Sequence, residues 1–448
     1  MKISDFKGKK ITVMGLGIVG GGVGVVKFLA KAGAEVLVTD LKAKKELASS
    51  LKEIKNLDVK LVLGKHRKED FIKTDMIVRN PGVPDNSPYL KVAKSHKILI
   101  ENDISIFFQL CPAPIIGITG TKGKSTVATL IYRLLKAKYP DVILAGNIGT
   151  SPLESLNKIQ KNSKVVLELS SWQLEGLEKH KISPEVAVIT NIYPDHLNRY
   201  KNLKEYIRSK KIIFRFQKRG DILFLNYDNL IVRSFAKEAW SKVIFYSIKR
   251  LPKDFKKIKI IGEHNISNAL AAYNVAKFYK VSFKSINKIL RESRGVAGRQ
   301  ELRKVVGGVK YFNDTTATMP EATIAAIKTL NQKFLKSKII LISGGVDKNL
   351  NYRALSKEIN RGVSHLILFS GSASDKIEGE LKKLKPGSNI LSVLTGINSM
   401  KDAIRKAKRV ANRGDIVLLS PAAASFNLFK NEFDRGEQFN KIVGNLKN

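Results

Sequence analysis

The chain has 448 residues, of which 43% are hydrophobic, and a formal net charge of +41. That length exceeds one ordinary hydrophobic core and predicts two to four domains. The sequence contains no run of about 18 apolar residues, and the basic start MKISDFKGKK leads into a strand instead of an apolar signal segment. A cytoplasmic protein without a membrane partner is therefore expected. The single cysteine, Cys111, excludes an internal disulfide framework.

The positive charge comes from 80 lysine and arginine residues set against 39 acidic residues. Such a field attracts nucleic acid, acidic lipid and phosphorylated metabolites alike. The lysines are spread through the whole chain, with neither a separate basic tail nor an arginine-rich block interleaved with aromatic residues. We interpret the charge as a solvated surface that also helps to bind anionic substrates, and no nucleic acid partner is expected.

Short β-branched apolar runs alternate with helical stretches along the whole chain, which predicts βαβ units on parallel sheets. The runs are KKITVMG, AEVLVTD and DMIVRNPG, then PIIGITG, KVVLELSS, EVAVITN and DILFLN, and finally KIILISGG, SHLILFSG and GDIVLLSPAA. The predicted fold class is α/β with three domains: a Rossmann-like domain over 1–103, a central P-loop-type domain with a mostly parallel sheet over 104–298, and a Rossmann-like domain over 299–448. In such sheets ligands bind beyond the carboxyl ends of the strands.

A glycine-rich turn, GLGIVG, follows the first predicted strand, with Gly15, Gly17 and Gly20 in the G-x-G-x-x-G spacing. Asp40 ends the next strand. The glycines let the backbone approach a pyrophosphate, and the acid can bind a ribose hydroxyl. The alternative is a tight turn without a ligand. The strand, helix and acid in context favour nucleotide binding, and the kind of nucleotide is open at this point.

A second glycine-rich stretch, GITGTKGKST over 117–126, stands between a strand and a helix and predicts a phosphate-binding loop. Lys124 can lie against the β- and γ-phosphates, and Ser125 can bind Mg²⁺. Ile118 stands where the G-x-x-x-x-G-K-S template has glycine, so the loop is a variant. The loop therefore predicts a bound nucleotide phosphate and Mg²⁺, and the family resemblance described below implies that the cofactors are ATP and Mg²⁺.

Two further side chains follow strands downstream of this loop. Glu168 follows a buried strand in LELSS, and His196 follows another in VITNIYPDH. A carboxylate and an imidazole at adjacent strand ends can bind Mg²⁺ together with Ser125. The alternatives are a helix-capping or salt-bridged acid and a histidine without a ligand. Their order after the phosphate loop favours metal binding.

At the phosphate loop the chain resembles the Mur ligase family, the ATP-dependent amide-bond enzymes that assemble the peptide of peptidoglycan. The family loop is T-G-T-N-G-K-[ST]-[ST], and Lys122 replaces its asparagine. Further resemblance follows in order and covers about residues 15–439. The matching segments are AGNIGTSPL, LELSSWQLE, NIYPDHLNRY, YIRSKKIIF, GEHNISNALAAY, GRQE, NDTTAT, SGGVDKN and LSPAAASFNLFKNEFDRGEQF.

The resemblance implies a ligase that adds an amino acid through an acyl phosphate, because an amide forms from a carboxylate only after activation. LELSSWQLE marks the branch that adds D-glutamate to UDP-N-acetylmuramoyl-L-alanine, and a monomer is expected. The first alternative is a Mur-type ligase that adds L-glutamate or another amino acid. The second is a basic ATPase stimulated by nucleic acid. Folylpolyglutamate synthases share the loop, but SSWQLE and the first glycine turn argue against them.

The resemblance also implies a role for each matching residue. The catalytic residues are Lys124, Lys210, His196 and Glu168, and the metal ligands are Ser125, Glu168, His196 and Lys210. The ATP contacts are Gly120, Thr121, Lys122, Gly123, Lys124, Ser125, Thr126, Asn265, Asn268, Arg299 and Asp314. The first domain holds the UDP-sugar through Gly17, Ile18, Val19, Asp40 and Asn80, with Asn147 and His196 from the middle domain. The amino acid meets Thr318, Lys348, Ser425 and Phe426.

Some of these assignments compete with simpler ones. The Tyr-x-x-x-Lys spacing from Tyr206 selects Lys210 over Lys211 as the lysine that the family carbamylates. The simpler interpretation of Lys210 is an unmodified lysine exposed to solvent on a helix. Asn265 could instead be a helix N-cap. Thr316 in NDTTAT stands where many relatives carry lysine, so one positive charge for glutamate is missing. The choice between D- and L-glutamate is therefore left open.

Overall fold

The computed structural model describes residues 1–17, 21–84, 86–147, 151–195, 199–255, 263–292, 298–348, 350–384 and 389–447. It divides into two compact units, Met1–Arg291 and Glu292–Asn448. The first unit holds two sheets and the second holds one, each with helices packed on it. The predicted α/β class is confirmed. The two predicted boundaries between the three domains, at 103 and 298, remain predictions.

The first sheet is parallel throughout, as its β-branched runs predict. Its central strands are buried on both faces, so they are apolar without alternation. The strands are β1 (Lys10–Met14), β2 (Glu35–Asp40), β3 (Val59–Leu63), β4 (Met76–Arg79) and β5 (Leu99–Glu101), in the order β3-β2-β1-β4-β5. The helices are α1 (Gly21–Lys31), α2 (Ala48–Ile54), α3 (Pro88–Ser95) and α4 (Asp103–Leu110), with 3-10 turns over Ile3–Phe6 and Lys68–Phe71.

The second sheet is also parallel. Its strands are β6 (Ile115–Thr119), β7 (Val142–Gly146), β8 (Lys164–Glu168), β9 (Val186–Ile189), β10 (Ile222–Asn226) and β11 (Lys242–Tyr246), in the order β11-β10-β9-β6-β8-β7. The helices are α5 (Lys124–Lys136), α6 (Ser171–Glu178), α7 (Leu203–Arg215), α8 (Leu230–Ser234), α9 (Glu263–Phe278) and α10 (Phe283–Glu292), with 3-10 turns over Pro152–Lys158 and Phe235–Lys237. The strand order changes direction at β6, where such sheets bind ligands.

The two sheets of the first unit share one hydrophobic core, which runs from β1 and α1 to β8 and α6. Helix α1 packs against the 3-10 turn Pro152–Lys158. A Cβ atom at Gly22 would overlap the carbonyl oxygen of Leu16, and one at Gly24 would overlap the carboxylate of Glu154. Gly22 and Gly24 therefore allow this helix to pack closely against its neighbours.

The second unit is a mixed sheet in which only β12 runs antiparallel. Its strands are β12 (Glu301–Val306), β13 (Val309–Asn313), β14 (Ile339–Gly344), β15 (His365–Phe369), β16 (Ser392–Ile397) and β17 (Ile416–Leu419), in the order β12-β13-β17-β14-β15-β16. The helices are α11 (Pro320–Lys333), α12 (Arg353–Gly362), α13 (Ser372–Lys382), α14 (Met400–Val410) and α15 (Glu432–Gly444). Across the described ranges, none of the helices has the length and apolar character needed to cross a membrane.

Candidate active site

The predicted phosphate loop lies between β6 and α5, at the point where the strand order of the second sheet changes direction. Two of its glycines are required by their surroundings. Gly120 has φ +148°, and a Cβ atom there would overlap Thr190 Oγ1. Gly123 has φ +82° at the N-cap of α5, and a Cβ atom there would overlap Asn268 Oδ1. The loop therefore presents bare backbone at the N-terminus of a helix, which favours an anion.

Hydrogen bonds to Asn191, which follows β9, hold the phosphate loop in place. The backbone amide of Thr121 donates to Asn191 O at 2.8 Å, and that of Lys122 donates to Asn191 Oδ1 at 2.9 Å. Lys124 Nζ donates to the carbonyls of Gly120 and Thr121, at 3.0 Å each. The ammonium group is thus held inside the curve of the loop, where a bound phosphate would meet it.

Ile118 lies inside β6 and is fully buried. In the G-x-x-x-x-G-K-S template this position is a glycine. Here it lies within β6, and the phosphate loop begins only after Thr119, the last residue of that strand. Thr126 and Ser125 lie in the first turn of α5, the position that faces a bound phosphate in loops of this type.

Glu168 ends β8, next to β6, and is 2% exposed. Its Oε1 accepts a hydrogen bond from Asn147 Nδ2 at 3.2 Å, whereas its Oε2 is buried and has no hydrogen-bond partner among the described residues. A buried carboxylate oxygen without a donor is costly unless a ligand completes it. This atom fits a cation such as Mg²⁺. Over the described residues no three His, Cys, Asp or Glu side chains are grouped as a metal site, and His196 lies outside those residues.

Lys210 lies on α7 and is 2% exposed. Its Nζ donates to Thr119 Oγ1 at 3.0 Å and to Gly120 O at 3.1 Å, so it reaches the start of the phosphate loop. Burial and then the charge of Lys124 lower the pKa of Lys210 well below its usual range. The structure therefore holds an amine that favours its neutral form beside the loop.

The neighbouring lysine has a different environment. Lys211 points away from the loop and pairs with Glu238 at 2.6 Å on the outer side of α7. The ring of Tyr206, whose spacing selected Lys210, lies 5.5 Å from Lys210 Nζ, and its hydroxyl lies 3.1 Å from Thr121 Oγ1. One turn of α7 thus brings Tyr206 and Lys210 to the same loop.

The two asparagines predicted for ATP lie on α9. Asn268 contacts the loop at Gly123, as the overlap described above shows. Asn265 lies inside α9, which begins at Glu263, and so it is not the N-cap of this helix. The helix therefore carries one asparagine against the phosphate loop and the other one turn nearer its N-terminus.

The first glycine turn brings Gly17, Asp40 and Asn80 together at the carboxyl ends of β1, β2 and β4. Asp40 Oδ2 accepts from the amide of Gly17 at 3.1 Å, and its Oδ1 accepts from that of Lys42 at 2.9 Å. A Cβ atom at Gly17 would lie 3.5 Å from Asn80 Nδ2. Asp40 therefore holds the turn closed from the neighbouring strand. Ile18 and Val19 lie outside the described residues.

In the second unit, the residues predicted for the amino acid lie on loops that are joined to one another. Val346 pairs with Ala424, and the amide of Ala422 donates to Ala317 O at 2.8 Å. These contacts bring together the loops that carry the predicted residues Thr318, Lys348, Ser425 and Phe426. Ser425 Oγ is buried without a hydrogen-bond partner among the described residues, whereas Phe426 is 58% exposed.

Asp314, predicted to contact ATP, directly follows β13, which ends at Asn313. Its carboxylate accepts from Ser420 Oγ at 2.7 Å and from the amide of Gln300 at 3.1 Å. Burial raises the pKa of Asp314 to about 7, against the hydrogen bonds from Ser420 and Gln300 and the charge of Arg299, all of which lower it. At neutral pH this carboxyl group is therefore close to the midpoint of its titration.

The raised pKa of Asp314 predicts a pH-dependent stability of the second unit. The unfolded carboxyl ionises near pH 4, while the folded one stays neutral up to about pH 7. The free energy of unfolding should fall as pH rises from about 4 to about 7, by at most about 4 kcal/mol, and then level off. Asp314→Asn should remove this slope. Denaturant unfolding of both proteins across that range measures it, and parallel pH profiles would contradict a carboxyl group kept neutral by burial.

The chain matches three domain families in order. They are the Mur ligase MurD-like N-terminal domain over residues 9–101, the Mur ligase middle domain over 118–257 and the Mur ligase glutamate ligase domain over 298–423. A protein of Roseiflexus sp. (strain RS-1) is 40% identical, with 97% of this chain and 98% of the relative covered. One of Borreliella afzelii (strain PKo) is 40% identical over the full length of both. The chain belongs to the Mur ligase family.

Both relatives are named UDP-N-acetylmuramoylalanine--D-glutamate ligase. Solved Mur ligase structures share the fold at low identity. The UDP-N-acetylmuramate-alanine ligase of Thermotoga maritima has a TM-score of 0.65 at 18% identity and covers 97% of this chain and 99% of its own. The MurF ligase of Thermotoga maritima, in complex with ADP, has a TM-score of 0.57 at 16% identity and covers 99% and 96%. The predicted family resemblance is confirmed.

Arg435 of this Mur ligase was not predicted as a site residue, and it is fully buried. Its guanidinium donates to Thr315 Oγ1 at 3.1 Å, Thr315 O at 2.8 Å and Ala423 O at 3.3 Å. Burial lowers the pKa of Arg435 to about 10. The side chain thus ties the loop after β13 to the loop after β17. The only signal in the sequence was the segment FDRGEQF, which gives no hint of a partner 120 residues away.

Proposed function

We propose that this Mur ligase joins D-glutamate to UDP-N-acetylmuramoyl-L-alanine at the expense of ATP. The observation that carries the proposal is the convergence of the phosphate loop, the buried Glu168 carboxylate and the buried Lys210 amine at adjacent strand ends of one sheet. The full-length identity of 40% to ligases with that name supports the substrate assignment.

The proposed reaction has two steps. A carboxylate oxygen of the sugar-linked alanine attacks the γ-phosphorus of ATP, and ADP leaves. The amine of D-glutamate, having lost a proton, then attacks the acyl carbon of the mixed anhydride, and inorganic phosphate leaves as the amide forms. Several anionic groups must approach one another in the first step. Their repulsion is the main barrier that the protein has to offset.

The residues around the loop are suited to that task. Lys124 and the loop amides can stabilise the negative charge of the phosphates. Glu168 Oε2 and Ser125 would hold Mg²⁺, with His196 and a modified Lys210 as the further proposed ligands. The metal, when bound, supplies positive charge to the phosphate oxygens. Asn265, Asn268, Arg299 and Asp314 are proposed to contact the rest of the nucleotide.

Lys210 is proposed to act as a carbamate. Only a neutral amine adds to carbon dioxide, and the lowered pKa of Lys210 favours that form. Addition forms a bond from Nζ to the carbon of carbon dioxide and releases one proton. The product is an anion that can bind a cation, and its negative charge is attracted to the neighbouring ammonium group of Lys124, whose charge disfavours an ammonium group at Lys210.

The sugar nucleotide is proposed to bind in the first unit and glutamate in the second. Gly17, Ile18, Val19, Asp40, Asn80, Asn147 and His196 would hold the sugar nucleotide. Thr318, Lys348, Ser425 and Phe426 would hold glutamate, and the buried, unpartnered hydroxyl of Ser425 is a donor suited to a carboxylate. The side chain of Thr316 is neutral and therefore offers glutamate no positive charge. Its hydroxyl donates to Gly298 O at 2.9 Å. A cytoplasmic monomer is part of the proposal.

ADP release in the purified protein tests the proposal against a nucleic-acid-stimulated ATPase. We expect ADP release only when UDP-N-acetylmuramoyl-L-alanine and an acceptor amino acid are both present. Single- or double-stranded DNA and RNA, added alone, should not stimulate it. Turnover that rises with nucleic acid and is indifferent to the sugar nucleotide would overturn the proposal.

A further inference from the structure

Arg199 connects the two sheets of the first unit. Its NH1 donates to the carbonyl oxygen of Pro81 at 2.9 Å, in the turn that begins with Asn80 after β4. Its NH2 donates to Glu175 Oε2 on α6 at 3.2 Å, and its guanidinium lies 4.6 Å from the ring centre of Trp172. The side chain is only 13% exposed, so these contacts are shielded from water. One planar group thus joins the predicted sugar-nucleotide turn to the second sheet.

The contacts continue from Glu175 to the phosphate loop. Glu175 Oε1 accepts from the hydroxyl of Tyr200 at 2.6 Å, and the ring of Tyr200 packs on that of Tyr206 with centroids 5.4 Å apart. The Tyr206 hydroxyl lies 3.1 Å from Thr121 Oγ1 in the phosphate loop. Burial and the bond to Glu175 raise the pKa of Tyr200, which keeps its hydroxyl a donor. A continuous series of packed and hydrogen-bonded groups therefore runs from Pro81 to Thr121.

We propose that Arg199 is a positioning residue that couples occupancy of the sugar-nucleotide turn to nucleotide binding at the phosphate loop. A ligand that fixes the turn at Asn80 fixes Pro81 O, and through Arg199 it fixes Glu175, Tyr200 and the loop. Binding of the first ligand already orders these groups, so the second ligand binds without the same loss of conformational entropy. The two ligands should therefore bind cooperatively. The inference rests on the proposed function, because it takes the sugar nucleotide as the ligand of the first sheet.

Calorimetry on the full chain tests the coupling without turnover. The dissociation constant of ADP is measured with and without saturating UDP-N-acetylmuramoyl-L-alanine. In the wild type we expect the sugar nucleotide to tighten ADP binding about fivefold or more. In Arg199→Met this factor should fall to about one, while the affinity for ADP alone changes less than about twofold. A merely structural role would weaken both ligands and leave their coupling intact.

Two further variants complete the design. Arg208→Met on α7 is the matched control, because Arg208 is 69% exposed, pairs with Glu178 and contacts neither turn nor loop; it should keep the wild-type coupling. Arg199→Lys keeps the charge but lacks the two separate guanidinium nitrogens that donate to Pro81 O and Glu175 Oε2, so it should lose the coupling. It also guards against misfolding of the methionine variant.

The outcomes separate the two proposals. Wild-type coupling in both Arg199 variants would overturn the role of Arg199 and leave the proposed function standing, as would a wild type that binds both ligands independently. A wild type that does not bind the sugar nucleotide at all would overturn both.

Discussion

Replacing Lys124 with alanine is expected to lower kcat by about 10²–10³-fold, because the variant loses a positive charge aimed at the transferring phosphoryl group. Lys124 Nζ is held by two loop carbonyls at 3.0 Å, so its position does not depend on a ligand. Steady-state ADP release with all three substrates measures the effect. The fold should survive, since the side chain is only half-buried.

Lys136→Ala is the matched control for this experiment. Lys136 ends the same helix, α5, is exposed, and donates to the carbonyl oxygen of Pro140 at 3.1 Å. It should keep full activity. If kcat is unchanged in the Lys124 variant, the assignment of residues 120–126 as the phosphate loop is contradicted.

Lys210→Ala is expected to lower kcat by about 10²-fold or more, while Lys211→Ala keeps nearly all activity. The two lysines are adjacent in sequence, but one reaches the phosphate loop and the other pairs with Glu238 at the surface. The melting temperature of the Lys210 variant should not fall greatly, because the cost of burying the amine offsets much of what its hydrogen bonds to Thr119 and Gly120 contribute. This separates loss of catalysis from loss of structure.

Carbon NMR after equilibration with labelled carbon dioxide checks the chemical form of Lys210. A carbamate signal should appear in the wild type and in Lys211→Ala and be absent from Lys210→Ala. A signal in none of them, together with an active Lys210→Ala protein, would contradict the assigned role.

The strands that could be predicted from the sequence are those buried inside each sheet. PIIGITG became β6 and KVVLELSS became β8, because central parallel strands are covered on both faces and are apolar throughout. The six edge strands, β3, β5, β7, β11, β12 and β16, were not predicted, and neither was the inner strand β13, whose short run VKYFN is interrupted by a lysine. An edge strand such as β3 is half-exposed along VKLVL, and its pattern is too weak to be distinguished from a loop.

The parts of the candidate site that could be predicted are those whose residues lie close together in the sequence. The glycines of the phosphate loop and the choice of Lys210 over Lys211 depend on spacing within a few residues. The contact of Asn268 with Gly123 and that of Arg199 with Pro81 join residues more than a hundred positions apart. No periodicity in the sequence encodes such pairs, and they appear only when the sheets pack.

The identity of the amino acid is the most direct test of the account. UDP-N-acetylmuramoyl-L-alanine and ATP are incubated with D-glutamate, with L-glutamate and with a panel of other amino acids, and the product is identified by mass spectrometry beside the ADP released. We predict that D-glutamate alone supports rapid turnover, with one amide formed per ADP, even though Thr316 replaces the family lysine. Turnover with L-glutamate or another amino acid in its place, or ADP release without an amide product, would contradict the account.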